Sequence, residues 1–151
     1  DKDSHLTLPE MNLSLDEMQK IHLKPFVEAI NDNIEMIMVA HLYCMCFDNK
    51  HIPASLSQNV IGYLRNVMNY KGVIISDDMV MKGVQAFGSL EACLMAINAG
   101  VDMFIFRDSD FETLDMIEKL VKIVENDKIL QDKVLKSNKR IMDLKKRYRI
   151  I

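Results

Sequence analysis

The stretch "GVIISDDM", residues 72–79, leads an apolar run into Ser76 and two adjacent acids, Asp77 and Asp78. A charge left unpaired in a protein interior is costly enough that it finds partners, neutralises or sits at an opening. The last fits the end of a buried strand, where a carboxylate either does chemistry at a rim or closes a turn. Two other apolar runs also end on polar groups: "IEMIMVAH", 34–41, on His41, and "VDMFIF", 101–106, on Arg107. If the three runs are neighbouring parallel strands, their polar ends converge on one rim, the side on which sites form in α/β folds. Successive strand side chains point to opposite faces, so only one of Asp77 and Asp78 faces a common axis; with apolar residues on both faces, parity does not say which.

Helical segments must lie between these strands. Ser14 and Glu17 have capping-box spacing, and Leu15, Met18, Ile21 and Phe26 form one stripe, predicting a helix over 14–30 that Pro25 kinks or breaks. Ser57 is expected to cap "QNVIGYLRNVMN", Ser89 to cap "LEACLMAINA", and Gly100 to end the latter in the left-handed conformation. Further helical patterns cover about 110–125 and 127–148. Strands starting near 34, 73 and 102 with a helix in each interval have the beat of repeated βα units, shared by (β/α)8 barrels and doubly wound sheets.

Composition narrows the function classes. The 151 residues carry a net charge of −3, which gives no broad attraction for nucleic acid or anionic lipid. The basic stretch "KSNKRIMDLKKRYR" reads as a solvated helix face, and no apolar run is long enough to span a membrane. Cys44, Cys46 and Cys93 form an odd set without CxxC spacing, which disfavours a disulfide framework or a thiolate metal site and suits a reducing cytosol. His22 and His51 lack metal-ligand spacing, and the twelve methionines recur at apolar positions, as core fillers do. No metal or organic cofactor is expected.

Four stretches together carry a family likeness: "DSH" at 3–5, "MVAH" at 38–41 with "IPASLS" at 52–57, "GVIISDDM", and "INAGVDMFI" at 97–105. In content, order and interval they resemble the family 3 glycoside hydrolases, specifically the β-N-acetylglucosaminidase branch, over almost the whole chain. The resemblance implies the C-terminal portion of a (β/α)8 TIM-type barrel, with three strands in this chain and residues 1–151 forming one unit. It implies removal of β-linked N-acetylglucosamine from the non-reducing end of a saccharide with retention, on peptidoglycan-derived substrates in the bacterial cytoplasm. The first acid after the serine, Asp77, maps to the nucleophile, and "DSH" maps His5 to the acid/base and Asp3 to its orienting carboxylate. Histidine suits that role because its pKa near 6.5 lets it give and take a proton near neutrality. Asp78 is expected to make a supporting hydrogen bond. His41 and Met79 are candidate sugar contacts, with a buried, hydrogen-bonded structural role as the equal alternative for His41.

β-Glucosidase relatives in this family usually lack the DSH loop and take their acid from a following domain, so Asp3 and His5 favour the acetylglucosaminidase. A non-catalytic half-barrel binding sugar or protein is the reading from a different class. The family's lysine–histidine and glycine-rich stretch before DSH lies outside this sequence, and three strands cannot close an eight-stranded barrel. The chain is therefore expected to pair with the missing N-terminal half of the barrel or to self-associate.

Overall fold

The structure, a computed structural model, describes residues 8–107 and 110–151. Its centre is a three-stranded parallel sheet of β2 (Met36–Val39), β4 (Val73–Asp78) and β5 (Met103–Ile105), in the order β2-β4-β5. The register pairs Ile37 with Ile74, Met38 with Ile75 and Ile75 with Met103. Two short strands, β1 (Glu10–Met11) and β3 (Tyr43–Cys44), pair in parallel beside it. This is the α/β architecture of parallel strands and intervening helices expected for part of a (β/α)8 barrel. Residues 43–44 and 10–11 were not legible as strands, because two-residue pairs show no periodicity.

The segment before β2 divides at its proline. Ser14 Oγ accepts from Glu17 N while the Glu17 carboxylate accepts from Ser14 N, which completes the capping box that starts α1 (Leu15–Glu17). A π-helical turn, Met18–His22, closes with Leu23 N donating to Met18 O, and α2 (Lys24–Asn31) begins afresh with Pro25 in its first turn. There the missing proline N–H costs nothing, since first-turn amides have no helical partner. Of the expected stripe, Met18 is buried, whereas Ile21 remains 65% exposed.

Ser57 caps α3 (Gln58–Gly62) by accepting from Val60 N, and a second π-helical turn follows at Tyr63–Val67. After β4 come α4 (Lys82–Gln85) and α5 (Ser89–Ala99). Gly88, at φ 75°, rather than Ser89, occupies the capping position of α5; Ser89 is its first residue and makes no capping bond. Gly100 ends that helix at φ 106°. The final helices, α6 (Phe111–Glu125) and α7 (Lys128–Arg147), are capped by the side chains of Asp110 and Asp127.

One sheet face meets the helices. Ile37 and Ile74 pack there with Ile61, Leu64, Ala92, Cys93, Ala96 and Met116. Fully burying a side chain such as Ile61 or Ile74 contributes about 1.5–3 kcal/mol. Met36 and Met38, alternating with Ile37, point the other way and are 37% and 53% exposed. Gly72, before β4, permits a close approach: a Cβ there would press on the Tyr70 hydroxyl and lie 2.6 Å from the Glu35 carbonyl oxygen.

Just before β5, the Asp102 carboxylate is wholly buried among five donors. Its Oδ1 accepts from Ser137 Oγ (2.7 Å) and from Arg140 Nε and Nη2 (2.9 and 2.7 Å); its Oδ2 accepts from Arg65 Nη2 (2.6 Å) and Ile74 N (2.8 Å). Part of the basic C-terminal stretch thus turns inward, since Ser137 and Arg140 belong to α7, while Lys136 and Lys139 stay in solvent.

Candidate active site

The end of β4 departs from regular pairing. Between Ile75, opposite Met103, and Asp78, opposite Ile105, β4 has one more residue than β5, which is a β-bulge. Such bulges re-aim side chains and interrupt the ladder. Ser76, fully buried, repairs the interruption: Ile105 N donates to Ser76 Oγ at 3.3 Å, and Met79 N donates to Ile105 O at 2.8 Å. The serine of "SDD" is therefore a ladder substitute.

The bulge removes the strict alternation that would separate the two acids by face. Hydrogen bonding separates them instead. Asp78 Oδ1 accepts from Val80 N (3.2 Å) and Arg107 N (3.1 Å), and its Oδ2 lies 3.9 Å from Arg107 Nε. That carboxylate ties the end of β4 to the end of β5. Asp77 makes one local bond, Oδ1 accepting from Asp78 N at 2.8 Å; among the described residues its Oδ2 takes none. Of the pair, Asp78 is the more engaged, by two backbone amides and the Arg107 guanidinium against one amide for Asp77. The Arg107 side chain is 65% exposed, and an ion pair that open contributes little.

His41 is 1% exposed. Its Nδ1 lies 2.6 Å from Ser55 Oγ and its Nε2 lies 3.1 Å from the Asp78 carbonyl oxygen. Burial pushes its pKa below the ordinary value, while the Asp78 carbonyl and the carboxylates of Asp77 and Asp78 draw it part of the way back. The imidazole is thus held neutral. A neutral ring facing a carbonyl must donate from that nitrogen, which makes Nε2 the protonated one and Nδ1 the acceptor of the Ser55 hydroxyl. Ser55 is fixed in a 3₁₀ turn, Ala54–Leu56, with Ala54 N donating to Leu42 O at 2.7 Å. The preceding loop is fastened by Asp48, which accepts from Ser57 Oγ and from Asn59 Nδ2.

A stability consequence follows from the depressed His41 pKa. Below about pH 6.5 the unfolded chain binds a proton that folded His41 refuses, so its contribution to stability is complete above that pH and declines as the pH falls. Urea midpoints measured from pH 7 to pH 5 are expected to fall more steeply for the parent than for His41→Gln. Parallel profiles would show that His41 does not titrate differently on unfolding.

The sequence-predicted residues are distributed as follows. Asp77, Asp78, His41 and Arg107 do meet at the carboxyl ends of the three strands. His41 and Met79 were candidate sugar contacts, but each is 1% exposed, and Met79 packs in the hydrophobic core. Neither side chain has free surface for a sugar; burial makes them supports of the rim. Asp3 and His5 lie outside the described residues. Ser55 and Ser76 were missed as supporting residues: each stands in a recognised stretch, but nothing in spacing marks a loop or strand serine as the partner of a distant group.

His51 stacks on Tyr43 with ring centroids 4.3 Å apart. Burial pushes the Cys44 thiol up to about 11 and Cys93 to about 12, so both are protonated and unreactive near neutrality. Among the described residues no group of three or more His, Cys, Asp or Glu side chains is placed to hold a metal ion, and no helix is long and apolar enough to cross a membrane.

With this geometry established, comparison with known proteins identifies its kin. A family model described as "Glycosyl hydrolase family 3 N terminal domain" matches residues 1–144. A beta-hexosaminidase of Methylococcus capsulatus is 37% identical over 120 residues, which cover 78% of this chain and 35% of that protein. Among solved structures, a glycoside hydrolase family 3 beta-N-acetylglucosaminidase from Paenibacillus sp. str. FPU-7 superposes with a TM-score of 0.90 at 30% identity, covering 97% of this chain and 28% of the other. The beta-N-acetylglucosaminidase from Thermotoga maritima gives 0.80 at 28% identity, covering 94% and 31%. The chain thus spans about a third of the length of the curated relatives it matches.

Proposed function

The chain belongs to glycosyl hydrolase family 3, and from that premise we propose that it carries the nucleophile of a retaining hydrolase acting on β-linked N-acetylglucosamine, with Asp77 as that nucleophile. One observation supports the assignment above the others: at the end of β4 the Asp78 carboxylate is engaged by two backbone amides and faces the Arg107 guanidinium, whereas the Asp77 carboxylate takes a single amide. In this reading an Asp77 oxygen attacks the anomeric carbon from the face opposite the leaving oxygen and forms a glycosyl ester. His5 protonates the departing oxygen. It then takes a proton from water, whose oxygen displaces Asp77 and restores the original configuration. Asp3 orients the His5 ring and balances its charge. Ionised Asp77 also stabilises the positive charge that develops on the sugar ring.

The substrate class comes from the named relatives, several of them bacterial beta-hexosaminidases. A peptidoglycan-derived saccharide in the cytoplasm is the natural substrate we favour, on the strength of the family resemblance. Residues 1–151 act in this proposal as one unit within a barrel completed by an N-terminal half or by self-association. Edges at β2 and β5, each with one neighbour among the described strands, fit that arrangement.

The test is hydrolysis of 4-nitrophenyl N-acetyl-β-glucosaminide and of 4-nitrophenyl β-glucoside by the full-length protein, with the product anomer read by NMR. Preference for the acetylated substrate and a β-anomer as first product are expected. Turnover of the glucoside alone would replace the substrate class, and an α-anomer would exclude a glycosyl-Asp77 ester.

A further inference from the structure

We propose that His41 and Ser55 are a buried positioning pair that holds the Asp78 peptide unit in the orientation that presents the Asp77 carboxylate to substrate. The inference rests on the reading of Asp77 as nucleophile. Its physical basis is the double engagement of residue 78. The Asp78 N–H donates to Asp77 Oδ1 at 2.8 Å, so the orientation of the Asp77 carboxylate depends on where that amide points. The Asp78 carbonyl accepts from His41 Nε2 at 3.1 Å and from Met81 N at 3.0 Å. The amide and the carbonyl lie on successive peptide planes that meet at the Asp78 Cα, so fixing the carbonyl removes one of the two freedoms by which the backbone at residue 78 could turn its amide away from Asp77.

The Asp78 carbonyl, which can only accept, sets the polarity of this chain, and Ser55 completes it. Its hydroxyl, 2.6 Å from Nδ1, donates to that nitrogen and leaves the ring proton on Nε2, where the carbonyl needs it. The bonds run in one direction: Ser55 hydroxyl to His41, His41 to the Asp78 carbonyl. Neither residue has surface for a substrate, at 0% and 1% exposure. Gly83 of α4 packs against the same residue: a Cβ there would lie 3.4 Å from His41 Cβ and 3.5 Å from its carbonyl oxygen. An apolar side chain fills such a space as well as histidine does, but gives no directional hold on the carbonyl. Displacement of a reacting group by about 1 Å costs on the order of 100-fold in rate.

The experiment compares His41→Leu, Ser55→Ala and His41→Gln in the full-length protein, assayed with 4-nitrophenyl N-acetyl-β-glucosaminide at a temperature where circular dichroism shows each variant folded. His41→Leu is expected to lower kcat about 100-fold with KM within about threefold of the parent. Ser55→Ala is expected to lower kcat about tenfold, because Nδ1 loses its donor and the ring is then held at one nitrogen only. His41→Gln keeps a donor at the Nε2 position and recovers most of the loss. In the parent, imidazole ¹⁵N shifts should report one neutral tautomer protonated at Nε2, and in Ser55→Ala the same tautomer with its Nδ1 resonance shifted by loss of the hydroxyl bond; this readout holds even if His41→Leu does not fold. Unchanged kcat in Ser55→Ala, or an Nδ1-protonated parent ring, overturns the proposal. Full turnover in Asp77→Ala instead removes the nucleophile reading, and this inference with it.

Discussion

Asp77→Asn in the full-length protein is expected to lower kcat on an aryl N-acetyl-β-glucosaminide by on the order of 10⁴- to 10⁶-fold, the range found when members of a covalent catalytic unit are removed. The substitution is nearly isosteric, and its amide oxygen still accepts from Asp78 N, the one hydrogen bond Asp77 makes among the described residues. Fold and sugar binding should therefore survive, and the loss should fall on kcat rather than KM. What disappears is the charge that attacks the anomeric carbon and steadies the positive ring. Asp78→Asn provides the contrast: it keeps the acceptor used by Val80 N and Arg107 N, and turnover should stay far closer to the parent. Should Asp78→Asn prove the more damaging of the two, the roles assigned to the adjacent acids would be reversed.

The second large effect is on stability. Asp102→Ala is expected to cost about 3–5 kcal/mol, because removing one partner of a buried ion cluster strands the others. Arg65 and Arg140 would be left 17% and 28% exposed with no carboxylate between them, and Ile74 N would lose its acceptor. Burial already pulls the Arg65 pKa below its ordinary value, with Asp102 working against it. For a domain of this size such a loss lowers Tm by very roughly 6–20 °C. Replacing all three charged residues together with apolar ones of similar volume is a different experiment, because such clusters often exchange for packing at little cost. A Tm drop of under about 2 °C in Asp102→Ala would mean that the guanidinium groups find water or new partners.

Much of the scaffold could be read from residues alone, for local reasons. The Ser14–Glu17 capping box, the Ser57 cap and the left-handed Gly100 each depend on side chains within three or four positions, and each occurs as expected. The three parallel strands were legible because runs such as "VIIS" are too short and too β-branched for helices. What escaped depends on contacts between distant segments. The choice between Asp77 and Asp78 seemed a matter of strand parity, but a bulge against β5 suspends parity just there. His41 was legible as a rim residue with a buried, hydrogen-bonded role as one of two readings, but its partners, Ser55 and the Asp78 carbonyl, were not. Asp102 gave a weaker signal that could have been used: a carboxylate opening an apolar strand must be paired, though its partners 37 and 38 residues away, Arg65 and Arg140, are set by tertiary packing.

Pinning by side chains at both ends has a dynamic corollary for β4. Ile74 N is held by Asp102 at one end, and at the other Ser76 and Asp78 bind the amides of Ile105 and Arg107. Amide protons along this strand should be among the last to exchange with deuterated solvent, opening only when the whole unit unfolds. In the role proposed for Asp77, a carboxylate delivered from so rigid a spar does not travel to meet a sugar. Whatever movement admits the ring and releases the product must come from the loops around the rim.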